Sequence, residues 1–277
     1  MPLSELTSFR IGGKAKLVLR PHNYEELMRA FDAARKNDVP ITLLGKGTNI
    51  LASDDGFDGL VLRFDTPMHE PVYDGTRVIA CCGMSLTQLA RETVRRKLSG
   101  LETLCGIPGT VGGACAMNAG AYGGEIKQVL SRIRIYRNGR DEWVEVKEDD
   151  LGYRRSAFSF PDAIALEAEF VLKHDDGTAA AVMQQCIEKR REKQPLELPS
   201  AGSTFKRPQG NFAGALIDQC GLKGCSVGGA QVSTKHAGFI VNTGDATEAD
   251  VSSLIALVQK TVFDRTGVML EPEVKRI

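Results

Sequence analysis

The stretch GIPGTVGGACAMNAGAYGG, running from Gly106 to Gly124, is dominated by glycine and other small residues. No hydrophobic period runs through it, which argues against a core helix or a core strand. Glycine accepts positive φ and lets a ligand approach bare backbone. Exposed N–H groups in such turns form anion-binding nests. In a chain whose patterning is otherwise ordinary, so dense a run reads as the wrapping of a phosphate-bearing cofactor.

A second glycine turn lies upstream. Leu44-Gly45-Lys46-Gly47-Thr48-Asn49-Ile50 follows a strand directly. Its glycines can bring N–H groups to a pyrophosphate, with Thr48 and Asn49 adding donors. The segment lacks the GK[ST] ending of a Walker A loop and the GxGxxG of a Rossmann turn. Alone it reads equally well as an ordinary turn. Beside Gly106–Gly124, a split phosphate cradle is the better reading.

Around these turns the first half of the chain alternates strands and helices. Ala15–Arg20, Pro40–Leu44, Gly59–Phe64 and Arg77–Cys81 have strand character. Leu27, Met28, Phe31 and Ala34 share a helical face behind a capping-box start at Asn23 and Glu26. Ser85 with Gln88 opens a helix carrying Leu86, Leu89, Ala90 and Val94, with Gly100 near its end. Leu130–Arg137 alternates as a strand and turns at Asn138-Gly139 into Trp143–Val146. Ile164–Leu172 is a closing strand. Beyond the turn His174–Gly177, a helix over Ala179–Arg191 buries Val182, Met183, Cys186 and Ile187 and leaves through the charged EKRREKQP. A glycine-rich segment over Pro199–Gly229 and a buried strand over Ala237–Val241 follow. The last helix starts at Thr247, buries Val251, Leu254, Ile255, Val258 and Val262, and stops near Gly267. A final strand is expected over Val268–Val274. The domain boundary is placed near 173–178, giving domains 1–174 and 175–277.

The composition bounds the function. With 277 residues the chain has one large or two medium domains and ample material for a core. Zero formal net charge gives no electrostatic case for nucleic acid or an anionic membrane. No apolar run reaches the length of a membrane span, and the N-terminus lacks the regions of a signal peptide. The seven cysteines form no CxxC, so neither a disulfide framework nor a metal site is expected. Reduced thiols in a cytoplasm fit best, several of them serving as small buried hydrophobes. His22, His69 and His174 read as surface residues near turns, and His236 as a structural histidine. No obligatory protein partner is expected.

Three polar segments could carry chemistry. Tyr153-Arg154-Arg155-Ser156 could clamp a carboxylate or phosphate, although composition alone favours two exposed surface arginines. Ala201-Gly202-Ser203-Thr204-Phe205-Lys206-Arg207-Pro208 is not GxSxG. Its serine is ordinarily a turn residue, yet it could deliver a proton to a strongly basic carbanion or enolate. Glu271-Pro272-Glu273-Val274 has a proline that marks an edge or bend, and its spacing says nothing of catalysis.

Taken in order, these segments resemble the UDP-N-acetylenolpyruvoylglucosamine reductase family, flavoenzymes of bacterial cell-wall precursor synthesis. The resemblance is carried by TSFRIGG (7–13), LGKGTNI (44–50), GIPGTVGGACAMNAGAYGGEI (106–126), GYRRSAF (152–158), AGSTFKRP (201–208), AGALIDQCGLKG (213–224), KHAGFIVN (235–242) and EPEV (271–274). It covers nearly the whole chain, and the ordered set is highly specific. It implies an α+β fold: an FAD-binding region of the vanillyl-alcohol-oxidase (PCMH) type in two subdomains, followed by a C-terminal α+β substrate-binding domain. The short Pro208–Gly224 interval points to the shorter, second-type form. A start almost at TSFRIGG suggests a short-form member or a trimmed chain.

The resemblance also implies the chemistry. NADPH reduces non-covalent FAD, and hydride then passes to C3 of the enolpyruvyl ether of a UDP-sugar. Arg154 matches the catalytic arginine, Ser203 the proton donor, and Glu273 the glutamate that helps stabilise the enolic intermediate. FAD is expected along Gly45, Lys46, Gly47, Thr48, Asn49 and Ile50. Its other contacts are expected at Gly106, Ile107, Pro108, Gly109, Thr110, Gly112, Gly113, Ala116, Asn118, Ala119, Gly120, Ala121, Tyr122 and Gly123. Tyr153, Lys206, Arg207 and Lys235 are the candidates for the sugar nucleotide. Two other readings stand beside this one. One is an alcohol or sugar oxidase of the same fold, in which Cys105 or Cys115 could tether the flavin. The other is a non-catalytic nucleotide-binding protein.

Overall fold

The computed structural model describes residues 1–159 and 162–277. The helices follow from apolar spacing and caps. In α1 (Tyr24–Lys36) the Asn23 side chain accepts from the Glu26 N–H at 2.8 Å, while Leu27, Phe31 and Ala34 are buried. The Glu26 carboxylate takes the His22 N–H at 2.9 Å, so this box closes on one side only. Helix α2 (Leu86–Arg95) buries Leu86, Leu89, Ala90 and Val94, but Ser85 makes no capping bond. Further along lie α3 (Val111–Met117), α4 (Ala179–Lys193) and α5 (Ala213–Gln219). Helix α6 (Glu248–Thr266) has a full capping box between Thr247 and Asp250 and ends at Gly267 with φ +73°. Its five buried aliphatic residues are those the spacing predicts, and each contributes about 1.5–3 kcal/mol by leaving water.

The chain divides into two compact units. A central unit holds Val18–Lys46 and Leu60–Arg190, and a terminal unit holds Met1–Leu17, Gly47–Gly59 and Arg191–Ile277. The linear boundary near 173–178 does not describe these contacts. On α4, Cys186 with Val182, Met183 and Ile187 belongs to the core of the central unit. Phe9, Ile11 and Leu51, far upstream, belong to the core built around α6. Shared burial, rather than order along the chain, decides the units.

In the central unit, Ile41–Leu44 pairs in parallel with Leu60–Arg63. An antiparallel five-stranded sheet runs in the order Arg140–Glu145, Leu130–Arg137, Ile164–Val171, Arg77–Cys81, Val72–Asp74. Asn138 and Gly139 both have positive φ, 52° and 76°, as the expected two-residue turn requires. One face of this sheet is ion-paired. Glu169, its side chain 3% exposed, receives Arg77 at 2.8 Å and Arg132 at 2.7 Å. Glu167 receives Arg134 at 2.8 Å and His69 at 2.6 Å. His69 is therefore half-buried and hydrogen-bonded to a strand glutamate nearly a hundred residues away, not a free surface residue.

In the terminal unit, a four-stranded antiparallel sheet runs in the order Ser200–Ser203, Phe239–Asn242, Ala230–Val232, Ser226–Val227, and its core is shared with α5 and α6. Asp54 accepts from the N–H groups of Glu248 and Ala249 at 2.8 and 3.1 Å, adding a second cap to α6. The expected strand over Val268–Val274 is absent. Only Lys275–Arg276 is a strand, paired in parallel with Ile50–Leu51. Pro272 supplies no N–H, so the stretch before it makes isolated contacts in place of a ladder.

Candidate active site

The glycine run contains what its composition concealed. Val111–Met117 is the short helix α3, with Val111, Ala114 and Cys115 buried, so the expectation of no core helix is corrected. Alanine and glycine pack through their small size and leave no apolar period to read. Thr110 caps the helix, its Oγ1 accepting from the Gly113 N–H at 3.2 Å. Gly109–Gly112 is laced to the start of α2. Val111 N–H donates to the Met84 carbonyl and Gly112 N–H to that of Cys82, both at 2.8 Å, while Leu86 N–H donates to that of Gly109 at 3.1 Å.

Space explains two glycines here. A Cβ on Gly45 would lie 2.5 Å from Thr110 Oγ1, and one on Gly112 would lie 3.0 Å from Cys82 Cβ. Gly45 of the first cradle segment therefore sits directly against Thr110 of the second. Lys46 reaches the same place, donating to Ser85 Oγ at 2.9 Å. Ser85 was read only as a cap; no pattern in the sequence announces it as a partner of Lys46.

Beyond α3 the chain turns at Asn118, left-handed with φ 42° and 1% exposed. Ala119 N–H returns to the Ala114 carbonyl at 2.9 Å, and Ile126 N–H donates to the Ala119 carbonyl at 3.0 Å. Gly120-Ala121 then pairs with Gly124-Glu125 around a turn at Tyr122 and Gly123. Gly123 faces open space, and Tyr122 is largely exposed. Ile107 and Ala116 are half-buried in the same run, where Gly106, Pro108 and Gly109 complete the approach to α3.

Arg154 belongs to the same unit. It sits with φ 52° at the tip of a hairpin pairing Leu151-Gly152 with Arg155-Ser156. Its guanidinium carbon lies 5.1 Å from the centre of the Tyr153 ring. Asn118 Nδ2 donates to the Gly152 carbonyl at 3.0 Å and to Glu125 Oε2 at 2.6 Å, while its Oδ1 accepts from Lys127 N–H at 2.8 Å. One buried amide thus fastens the arginine hairpin to the glycine run. Arg155 is exposed and donates to the Asp149 carbonyl at 3.1 Å.

The terminal unit holds Ser203 and Glu273 on neighbouring stretches of backbone. Ser203 follows a bulge at Ala201-Gly202, where Gly202 has φ +77°. Thr204 N–H donates to the Gly238 carbonyl at 2.8 Å, Glu273 N–H to that of Thr204 at 2.7 Å, and Lys206 N–H to that of Glu271 at 2.8 Å. The serine strand therefore runs alongside EPEV. Thr204 is buried, and its hydroxyl accepts from Ile240 N–H at 3.1 Å, which fixes the backbone beside Ser203.

Asn49 joins this cluster. Its Nδ2 donates to the Glu273 carbonyl at 3.2 Å, and its own carbonyl accepts from Lys275 N–H at 2.9 Å. Ile50 pairs with Lys275. Gly47, with φ +64°, packs against Leu6 and Thr7 and accepts at its carbonyl from Ser8 N–H at 3.1 Å. Ser8 Oγ donates to the Ser200 carbonyl at 2.6 Å. That serine, in TSFRIGG, braces both the Gly47 turn and the strand that leads to Ser203, a role its neighbours in the sequence do not signal.

The candidate sugar-nucleotide cations are already engaged within the terminal unit. Lys206 pairs with Glu271, and Arg207 lies 3.9 Å from the Phe212 ring centre. Lys235 donates to the Arg191 carbonyl at 3.0 Å. His236 accepts at Nδ1 from Gly238 N–H at 3.1 Å and lies edge-on to Phe239, in the structural role expected of it. Burial lowers its pKa from the ordinary value. Burial pushes the Cys105 thiol up to about 11 and the Cys115 thiol up to about 12. Both are protonated at neutral pH, so neither offers a thiolate for a covalent flavin bond.

Similarity to known proteins completes the assignment. Residues 194–277 match the UDP-N-acetylenolpyruvoylglucosamine reductase C-terminal domain, and residues 15–140 match an FAD binding domain. A UDP-N-acetylenolpyruvoylglucosamine reductase from Exiguobacterium sibiricum is 48% identical, over 100% of this chain and 91% of its own length. The chain belongs to the UDP-N-acetylenolpyruvoylglucosamine reductase family. A reductase of that family from Clostridium botulinum is 44% identical, over 100% of this chain and 90% of its own. The crystal structure of the Thermus caldophilus reductase superposes with a TM-score of 0.84 at 35% identity, over 100% of this chain and 97% of the other. The expected α+β architecture, an FAD-binding region followed by a distinct C-terminal domain, is that of this reductase family. FAD fits the residues present: the run offers bare backbone at the exposed Gly113 and Gly123, and the ammonium of Lys46 beside it rests on a neutral hydroxyl.

Proposed function

We propose that the protein reduces UDP-N-acetylglucosamine enolpyruvate to UDP-N-acetylmuramate, a step in making bacterial peptidoglycan precursors. Bound FAD, recharged by NADPH, supplies the hydride delivered to C3 of the enolpyruvyl group. The chain's own residues manage charge and protons. Negative charge develops at C2 and spreads into the substrate carboxylate, where Arg154 is the cation that stabilises it. Arg154 takes this role over Arg155 because it is half-buried on the hairpin held by Asn118, whereas Arg155 is exposed and tied to Asp149. Ser203 donates the proton to C2; serine is a weak acid, but an enolate is basic enough to take its proton. Glu273 polarises the enolic intermediate.

The observation that supports this reading is the pairing of the segment after Ser203 with EPEV, in which the Glu273 N–H donates to the Thr204 carbonyl at 2.7 Å. Cradle residues Gly45–Ile50 and Gly106–Gly123 hold the flavin without a covalent bond. Tyr153, Lys206, Arg207 and Lys235 contact the sugar nucleotide, with Lys206 exchanging Glu271 for phosphate. The protein works in the bacterial cytoplasm, consistent with cysteines that are all free. No described helix is long and apolar enough to cross a membrane.

Stopped-flow absorbance tests the proposal. NADPH should bleach the flavin band of the purified holoenzyme, and the enolpyruvyl UDP-sugar should restore it. A flavin that stays oxidised under NADPH sinks the first half-reaction. One that is reduced but reoxidised only by oxygen or by alcohol-derived products points to an oxidase of the same fold.

A further inference from the structure

Helix α4 carries a residue that its sequence context hides. The inward stripe of the helix runs through Val182, Met183, Cys186 and Ile187. The next position on that stripe, one turn beyond Cys186, is Arg190. Its neighbours Lys189 and Arg191 are exposed, while Arg190 is half-buried. Among the charged residues of the EKRREKQP exit, only Arg190 is withdrawn from solvent.

Its destination is the first residue of the glycine run. A Cβ on Gly106 would lie 3.0 Å from Arg190 Cδ and 3.8 Å from its Nη1, so the guanidinium rests on bare Gly106 backbone. The ionisable groups facing it are the Tyr122 phenol and the Cys105 thiol. Burial raises the pKa of both, so at neutral pH neither supplies a negative charge. Among the described residues Arg190 has no carboxylate partner. The sheet arginines Arg77, Arg132 and Arg134 of the same unit each have one. A desolvated guanidinium without a counter-charge is unfavourable until an anion reaches it. Its planar fork suits a phosphate, which it can hold bidentately.

We infer that Arg190 is an anion-binding residue of the glycine run, receiving a phosphate group of a bound nucleotide. This rests on the functional reading above and adds a residue to it. Three nucleotides could bring that phosphate: FAD, NADPH and the UDP-sugar.

The test uses Arg190→Gln in the full chain. Three affinities are measured: FAD by fluorescence quenching on the reconstituted apoprotein, and NADPH and UDP-sugar through their KM values. The melting temperature of the flavin-free protein is recorded alongside. The expected result is a loss of about tenfold or more in one of the three affinities, with a weaker salt dependence for that ligand and a melting temperature that does not fall. The ligand that weakens names the source of the phosphate. Unchanged affinity for all three overturns the assignment, as does a loss accompanied by a lowered flavin-free melting temperature, which would mark a structural arginine. Failure of the functional reading looks different: wild-type protein would then bind no FAD or show no turnover.

Discussion

Two glycine-rich regions of this chain have similar compositions and opposite reasons for them. Around α3, glycine is required by space. Gly45 and Gly112 adopt ordinary dihedrals, yet a Cβ on either would press on Thr110 or Cys82. At the bend before Ser203, glycine is required by the backbone. Gly202 has φ +77°, and nothing lies within 4 Å of where its Cβ would be. The first region is a packed scaffold made of small residues; the second is an open bend that presents a serine. Composition shows that both are unusual and cannot tell which constraint operates.

The largest expected effect falls on the open bend. Ser203→Ala should slow turnover by about 10²–10⁴-fold while NADPH still reduces the flavin at its normal rate. Rapid-mixing traces of the two half-reactions separate these, and intact turnover would remove Ser203 as the proton donor. On the packed side, Gly45→Ala must displace Thr110 and its cap on α3. Overpacking of this kind costs about 1–3 kcal/mol, to be read as a lower denaturant midpoint.

Asn118→Ala should cost about 1–3 kcal/mol by leaving buried partners unsatisfied. Because that amide holds the Arg154 hairpin, kcat should fall more than KM rises; an unchanged kcat would separate the hairpin from the chemistry. Gly202→Ala should cost about 1–2 kcal/mol through its left-handed backbone. Asparagine, which tolerates that conformation, should recover much of the loss at Gly202 but be worse than alanine at Gly45. Equal behaviour of the two asparagine variants would erase the distinction between the regions.

The smallest effect is pH dependence at His236. Burial lowers its folded pKa below the ordinary 6.5. The neutral ring's contribution is therefore fully present above 6.5 and is lost as pH falls through the depressed folded value. Denaturation midpoints between about pH 5 and 8 should decline on the acid side, and less so in His236→Gln.

How much could be read from the sequence depended on whether a signal was local. Helix α6 was fully legible, because Thr247, Gly267 and five periodic aliphatic residues all lie within it. So was the hairpin at Asn138-Gly139. Helix α3 escaped because alanine and glycine produce no apolar period. The strand expected at Val268–Val274 failed because its residues do not pair in register with one neighbour, and Pro272 interrupts them. Arg190 was hidden by flanking charges, although its spacing from Cys186 and Ile187 was there to be counted. At the site, ordered motifs named Arg154, Ser203 and Glu273. They could not show that Ser8, Asn118 and Thr204 hold the surrounding backbone or that Ser85 receives Lys46, since those bonds join residues far apart in the chain.

The interleaving of the two units sets an order of events during synthesis. Once Arg190 has left the ribosome, every residue of the central unit exists, and its five-stranded sheet can close. Phe9, Ile11 and Leu51 must wait for α6, whose aliphatic residues are among the last to be made. Until then these early apolar side chains have no lasting partner and are a natural hold for a chaperone. Nascent chains stalled once Arg190 has cleared the ribosome should resist protease across the central unit and be cut within the first seventeen residues and at Gly47–Gly59.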